Sequence, residues 1–362
     1  MMGAALFHDI LSTAWQILGD VSPWLMASFV LAGLLRQFLD PAKFQKALGN
    51  TGLAAIVKAT LSGMLLPICS CGVIPLGLGM YYTGAYLGPT LAFMVATPII
   101  NPAAVLLAYG LLGPEIATIY LVAGFLVPVG IGVAANLFAG DELHAPGMDQ
   151  EVEQTVFAEG EKLPVVQRLR LGLSWGVFEL GTMVGKYIVL GVLLAGVLIA
   201  AVPQHLIQGY LGDAGMISIA GIALLGAIIY VCAVGHIPLV AALVASGASP
   251  GIAITFLMTG AATNLPELIS IGKMIGKRTV ILYSSLVVGS SMIIGWLANQ
   301  LLLPDFVPFY NLDRGRTAIG LANLLIVSAP EWLKTACSIF ILLLFLRAYR
   351  PMLATFRRRV VA

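Results

Sequence analysis

The chain has 362 residues, 59% of them apolar and only 10% charged, with a mean hydropathy of +0.98 and a formal net charge of +2. A soluble domain carries about a quarter charged residues, so these figures exclude one and indicate an integral membrane protein, while basic residues scattered over loops and tail argue against a nucleic-acid partner. No glycine-rich turn ends in Lys followed by Ser or Thr, so no phosphate-binding loop is encoded and nucleotide hydrolysis would have to come from another chain.

The amino-terminal stretch MMGAALFHDIL has no basic region before its apolar run, so a cleaved signal peptide is not expected. Residues 2–18, of mixed polarity, predict a short interfacial helix. The run at 21–38 is the first of five that approach the roughly 20 apolar residues a spanning helix needs, the others being 115–138, 184–202, 279–302 and 328–347. These runs are continuous and lack the alternation of a membrane β-barrel.

Between 50 and 113 the chain is heavily punctuated, by Pro67, Gly72, Pro75, Gly77, Gly79, Gly84, Gly88, Pro89, Pro98 and Pro102. Proline removes a backbone donor and clashes with the preceding turn. The chain is therefore expected to open at PICSCGVIP (67–75) and again at TPIINP (97–102), giving a re-entrant hairpin with its tip near 67–75 and a crossing helix interrupted near 98–102. Opened backbone is tolerated at membrane depth only where protein or a watery cavity covers it. Residues 140–164 read as an acidic cytoplasmic linker and 165–181 as a second interfacial helix. Residues 303–316 read as an outer loop, leading to the last spanning helix and a basic cytoplasmic tail.

Shifting the sequence by 163 residues lays one half over the other without a gap. Cys69 meets Cys232, Gly72 meets Gly235, Pro75 meets Pro238, Gly84 meets Gly247, Gly88 meets Gly251, Phe93 meets Phe256 and Asn101 meets Asn264. Upstream, LGNTG at 48–52 pairs with LGDAG at 211–215. Glycine, proline and asparagine in register are not what shared greasiness produces. The chain thus divides into repeat one (1–139), the linker (140–164), repeat two (165–302) and the terminal segment (303–362).

Charge orients the copies. Arg36, Lys43, Lys46 and Lys58 follow the first helix of repeat one, whereas their counterpart region, 199–221, has no Lys or Arg. Farther on, 110–115 carries only Glu115 while 273–278 carries Lys273, Lys277 and Arg278. Because Lys and Arg near helix ends stay cytoplasmic, the copies should be inverted, as in secondary transporters with a central site between the repeats. The fold expected is an all-α polytopic membrane protein of two inverted repeats, with re-entrant hairpins, discontinuous helices and one extra C-terminal helix, in a bacterial cytoplasmic membrane.

Cys69, Cys71, Cys232, His236, Asn101 and Asn264 all fall at the breaks, which inversion would gather around one point. Each has a structural alternative: cysteine packs as a small hydrophobe, as Cys337 does in the last helix, His236 can bond a local carbonyl, and the asparagines can satisfy opened backbone. One residue between Cys69 and Cys71 is neither zinc-site nor thioredoxin spacing. Met64, Met80, Met94 and Met258 read as filler rather than thioether ligands. Among intramembrane charges, Glu179 with Lys186 and Glu331 with Lys334 can neutralise one another, and Glu267, directly after the second break, is the candidate for proton coupling.

The stretches CSCGVIP (69–75) and TGAYLGPTLAFMVATPIINP (83–102), with the weaker copy at 232–266, resemble the family of predicted bacterial permeases that includes the organoarsenical exporters. The resemblance covers nearly all of the chain. It implies an inner-membrane efflux permease without a nucleotide-binding domain or cofactor, with Cys69, Ser70 and Cys71 as the soft-ligand element toward a trivalent arsenical or thiophilic metal species. The partners expected are that solute, the lipid bilayer and a homo-oligomeric assembly. Two alternatives stay open: a permease for a small anion or sulfur compound held by helix amino termini and the asparagines, and a membrane enzyme or assembly subunit, against which stands the lack of a clustered acid, base and nucleophile.

Overall fold

The computed structural model of the chain describes residues 2–38, 48–66, 70–145, 164–193 except 183, 187 and 191, 215–228, 233–303 except 246, 306, and 330–360; among these there is no strand. Helix α1, Met2–Phe38, is followed by α2 (Leu53–Leu65), α3 (Ser70–Tyr82), α4 (Leu87–Ile99), the short α5 (Pro102–Leu107) and α6 (Pro114–Phe138). Beyond the linker come α7 (Val165–Ser174), α8 (Met216–Ile228), α9 (Ala233–Ala245), α10 (Pro250–Ala262), α11 (Leu265–Met274), α12 (Lys277–Leu302) and α13 (Glu331–Val360). Among the described residues α6 and α12 are long and apolar enough to cross a membrane by themselves, and the bent pairs α4–α5 and α10–α11 are each long and apolar enough to form one span.

Two expectations are corrected. No separate interfacial helix occupies 2–18, because α1 runs unbroken through Pro23. The missing N–H of Pro23 leaves the carbonyl of Gly19 without its helical donor, and the Ser22 hydroxyl lies within hydrogen-bond distance of that carbonyl at 3.3 Å, of the Lys334 carbonyl at 3.1 Å and of the Ser338 hydroxyl at 3.0 Å. Likewise the opening expected over 67–75 is shorter: α2 ends at Leu65, Leu66 is extended, and α3 already begins at Ser70 with Pro75 inside it. As the sixth residue of α3, Pro75 lacks the N–H that would bond the carbonyl of Cys71, so the helix continues with one bond fewer there.

The duplication is explicit in the backbone. Helices α2, α3 and α4 and their counterparts α8, α9 and α10 have the same 13-residue lengths, with both ends displaced by the sequence offset. Gly84 and Gly247 turn the chain between the paired helices with φ of 112° and 103°, a region glycine enters without strain. Within each repeat the central helix, α4 or α10, packs on the first (α2 or α8) and on the long span (α6 or α12).

The halves meet through a two-fold set of contacts. Helix α4 packs on α10 and α6 on α12, each against its own counterpart, while α3 on α11 is matched by α9 on α5. Such self-complementary pairing is what a two-fold axis generates. The direction of the axis follows from Glu142, just past the end of α6, whose carboxylate accepts from the backbone N–H of Thr279 in the first turn of α12 at 2.7 Å. The end of one span lies beside the start of its packed partner, so α6 and α12 run antiparallel. The repeats are inverted.

Candidate functional site

The two discontinuous helices are the feature around which polar groups collect. Helices α4 and α5 bend by 40° at Ile100–Asn101, and α10 and α11 by 45° at Thr263–Asn264. Every bilayer-depth break must satisfy the amides and carbonyls it opens. At the first, the side chain of Asn101 accepts from the N–H of Ala104 at 2.9 Å, and Tyr120 of α6 donates to the carbonyl of Ile99 at 2.7 Å. At the second, Asn264 accepts from the N–H of Glu267 at 3.1 Å, and Tyr283 of α12 donates to the carbonyl of Ala262 at 2.6 Å. Tyr120 and Tyr283 share the repeat offset. Each break therefore has an asparagine capping the second half-helix and a tyrosine closing the first.

The same correspondence fixes the central helix of each repeat against its span. The side chain of Asn136 accepts from the N–H of Gly88 at 2.8 Å, and that of Asn299 from Gly251 at 2.7 Å. A Cβ on Gly88 would run into Asn136 and the carbonyl of Gly132; one on Gly251 would run into the carbonyl of Gly295 and Asn299. Small residues permit this backbone approach in a bilayer, where no hydrophobic force drives helices together.

Beyond this frame the repeats diverge. Helix α10 and the residue that follows it carry a fully buried row of hydroxyls, Thr255, Thr259 and Thr263, at one-turn spacing, where α4 and the residue that follows it have Ala92, Ala96 and Ile100. Thr263 and Thr259 donate back to the carbonyls of Thr259 and Thr255, each at 2.6 Å, and Thr255 donates to Ser291 of α12 at 3.1 Å. In the first turn of α11 the carboxyl of Glu267 is fully buried. It receives a bond from the Asn264 side-chain amide at 3.0 Å and contacts the Tyr283 hydroxyl at 2.9 Å. Its counterpart in repeat one is Ala104.

Of the residues singled out from sequence, Asn101 and Asn264 stand at the two breaks as helix caps, and Glu267 joins Asn264. His236 lies on α9, partly buried, with its ring 6.4 Å edge-on from that of Phe256 on α10. Cys69 and Cys232 lie outside the described residues, as do the side chains of Ser70 and Cys71 at the start of α3. Met80, Met94 and Met258 are buried in the apolar core, as filler would be. Lys334 pairs with Glu331 at 3.0 Å, whereas Glu179 is exposed. Sequence reasoning missed Tyr120, Tyr283, Asn136, Asn299 and the threonine row. The repeat offset, carried beyond Asn101, pairs the first four, and the one-turn spacing of Thr255, Thr259 and Thr263 was legible as a polar stripe.

A family described as a predicted permease matches residues 6–300. A UPF0718 protein of Methanocaldococcus jannaschii is 26% identical over 333 residues, covering 77% of this chain and 91% of its own. The UPF0718 protein YraQ of Escherichia coli is 26% identical over 306 residues, 82% of this chain and 85% of its own. A Streptococcus mutans protein named as a subunit of a two-component membrane permease complex is 21% identical over 274 residues, 73% and 88% of the two chains. No solved structure matches the chain.

Proposed function

The chain belongs to the predicted permease family, and from that premise we propose that it is a secondary transporter of the bacterial cytoplasmic membrane that exports a soft, thiophilic solute, a trivalent organoarsenical or a thiophilic metal species. The observation that carries this reading is the pair of discontinuous helices, related by inversion and packed against each other through α4 and α10. In secondary transporters such breaks bind cargo near the midplane, and rocking of one repeat against the other exposes the site to either side.

In the sequence Cys69 and Cys71 stand on either side of Ser70, the first residue of α3. Thiolates are the side chains with the highest affinity for soft ions, and a helix amino terminus favours the thiolate form. Cargo would exchange its water or thiol partners for these sulfurs, with Ser70, Cys232, His236, Asn101 and Asn264 as further contacts. The asparagine carbonyls already cap α5 and α11, so any cargo contact at these residues competes with a cap.

The test is efflux from loaded vesicles, with trivalent methylarsenical, arsenite and soft metal ions supplied in turn to wild type and to the Cys69→Ser, Cys71→Ser double variant. Loss of transport with unchanged folding supports the reading. Transport undiminished in the double variant overturns the sulfur site and favours a permease for a small anion or sulfur compound.

A further inference from the structure

The second break is one proton short. Tyr283 has a single hydroxyl proton, yet its oxygen lies within hydrogen-bond distance of two groups that accept, the Ala262 carbonyl at 2.6 Å and Oε1 of Glu267 at 2.9 Å. A carbonyl cannot donate. In repeat one, where Ala104 stands in the place of Glu267, Tyr120 donates to the carbonyl of Ile99. If Tyr283 does the same, the contact to Glu267 requires a proton on the carboxyl, donated to the tyrosine oxygen. The other carboxyl oxygen then accepts from Asn264 at 3.0 Å, and every group is satisfied without a charge in a site with no solvent exposure.

We propose that Glu267 is the proton carrier of the transport cycle, holding its proton in this conformation and releasing it to water when the break opens to one side of the membrane. This rests on reading the breaks as the transport site and deepens it by naming the coupling ion. Without its proton Glu267 becomes a pure acceptor, and Tyr283 must turn its hydroxyl from Ala262 to the carboxylate. The Ala262 carbonyl at the bend is then left without its donor and free to take cargo or water. Protonation is thereby linked to the state of the helix break, at one carboxyl per chain, because repeat one has alanine there.

The titratable groups around it are few. Helix α11 itself carries Lys273, exposed near its far end. Among the described residues the helices that pack most on α11 are α12, bearing Tyr283 with Lys277 and Arg278 exposed at its start, and α3, bearing Cys71, Tyr81 and Tyr82, the last of which donates to Met274 at the far end of α11. Among the described residues, none of these is a cation placed against the carboxyl.

Infrared spectroscopy of the purified full-length protein in lipid at neutral pH tests this without any cargo. The difference spectrum between wild type and Glu267→Gln should contain the C=O stretch of a protonated carboxyl, present only in wild type. Glutamine keeps a donor toward Tyr283, so the variant should fold and melt like wild type. In Tyr283→Phe the same band should persist and move to higher frequency as its hydrogen bond is lost. A carboxyl region identical in wild type and Glu267→Gln overturns the proposal, as does a band that Tyr283→Phe leaves unmoved. Neither outcome depends on the identity of the cargo, so failure here and failure of the sulfur site are separable.

Discussion

The carboxylate of Glu142 caps the helix that begins at Lys277: it accepts from both the backbone N–H and the hydroxyl of Thr279, tying the end of α6 to the start of its inverted counterpart. The end of α3 joins the same junction, since Tyr81 donates to the carbonyl of Glu142 at 2.9 Å and Tyr82 to that of Met274 at 2.6 Å. The counterparts of Tyr81, Tyr82 and Thr279 are Val244, Ala245 and Ile116, whose side chains make no such bonds. The bonds of these three hydroxyl residues have no counterpart at the other end, where the sequence places no hydroxyl at the matching positions.

Removing the cap should weaken the junction measurably. Glu142→Ala leaves the first turn of α12 without its acceptor, a loss of about 1 kcal/mol by analogy with helix N-caps. Thermal unfolding of the detergent-purified variant should show a lowered midpoint, and Glu142→Gln, which keeps an acceptor oxygen, should recover part of it.

The two glycine crossings should respond alike. In both Gly88→Ala and Gly251→Ala the added methyl meets a carbonyl and an asparagine side chain, so α4 or α10 must move off its span. Overpacking of this kind costs about 1–3 kcal/mol. Comparable destabilisation by the two variants is the expected result, and a neutral outcome at either would show that its crossing is looser than described.

The caps at the breaks should differ in their sensitivity. Asn101→Ala removes one bond, to Ala104, and should cost about 1 kcal/mol. Asn264→Ala also strips a donor from a buried carboxyl, which adds about 1–3 kcal/mol for an unsatisfied group. Unfolding midpoints should therefore fall further for the second.

Orientation can be read by labelling. With the four native cysteines replaced, single cysteines at the exposed positions Asp141 and Lys277 should be shielded from an impermeant maleimide in intact cells, and one at Glu115, at the other end of α6, should react. Reaction of Lys277→Cys together with Glu115→Cys would contradict the sidedness inferred from the Lys and Arg distribution.

The sequence alone determined the solvent, the duplication and the breaks at Asn101 and Asn264, because each is written in local chemistry: apolar runs, glycine and proline spacing, and the Lys and Arg that flank the spans. Charge bias also anticipated the inversion that Glu142 and Thr279 display. Local chemistry misjudged residues 2–18, where α1 runs on through Pro23, and overextended the first opening, since α3 begins at Ser70 and includes Pro75. Only the tertiary structure decided that Tyr283 reaches back 21 residues to Ala262 and 16 to Glu267, and that Asn264 is engaged with that carboxyl. Which acceptor a buried donor finds depends on how separate helices pack, and no spacing along one chain encodes that distance.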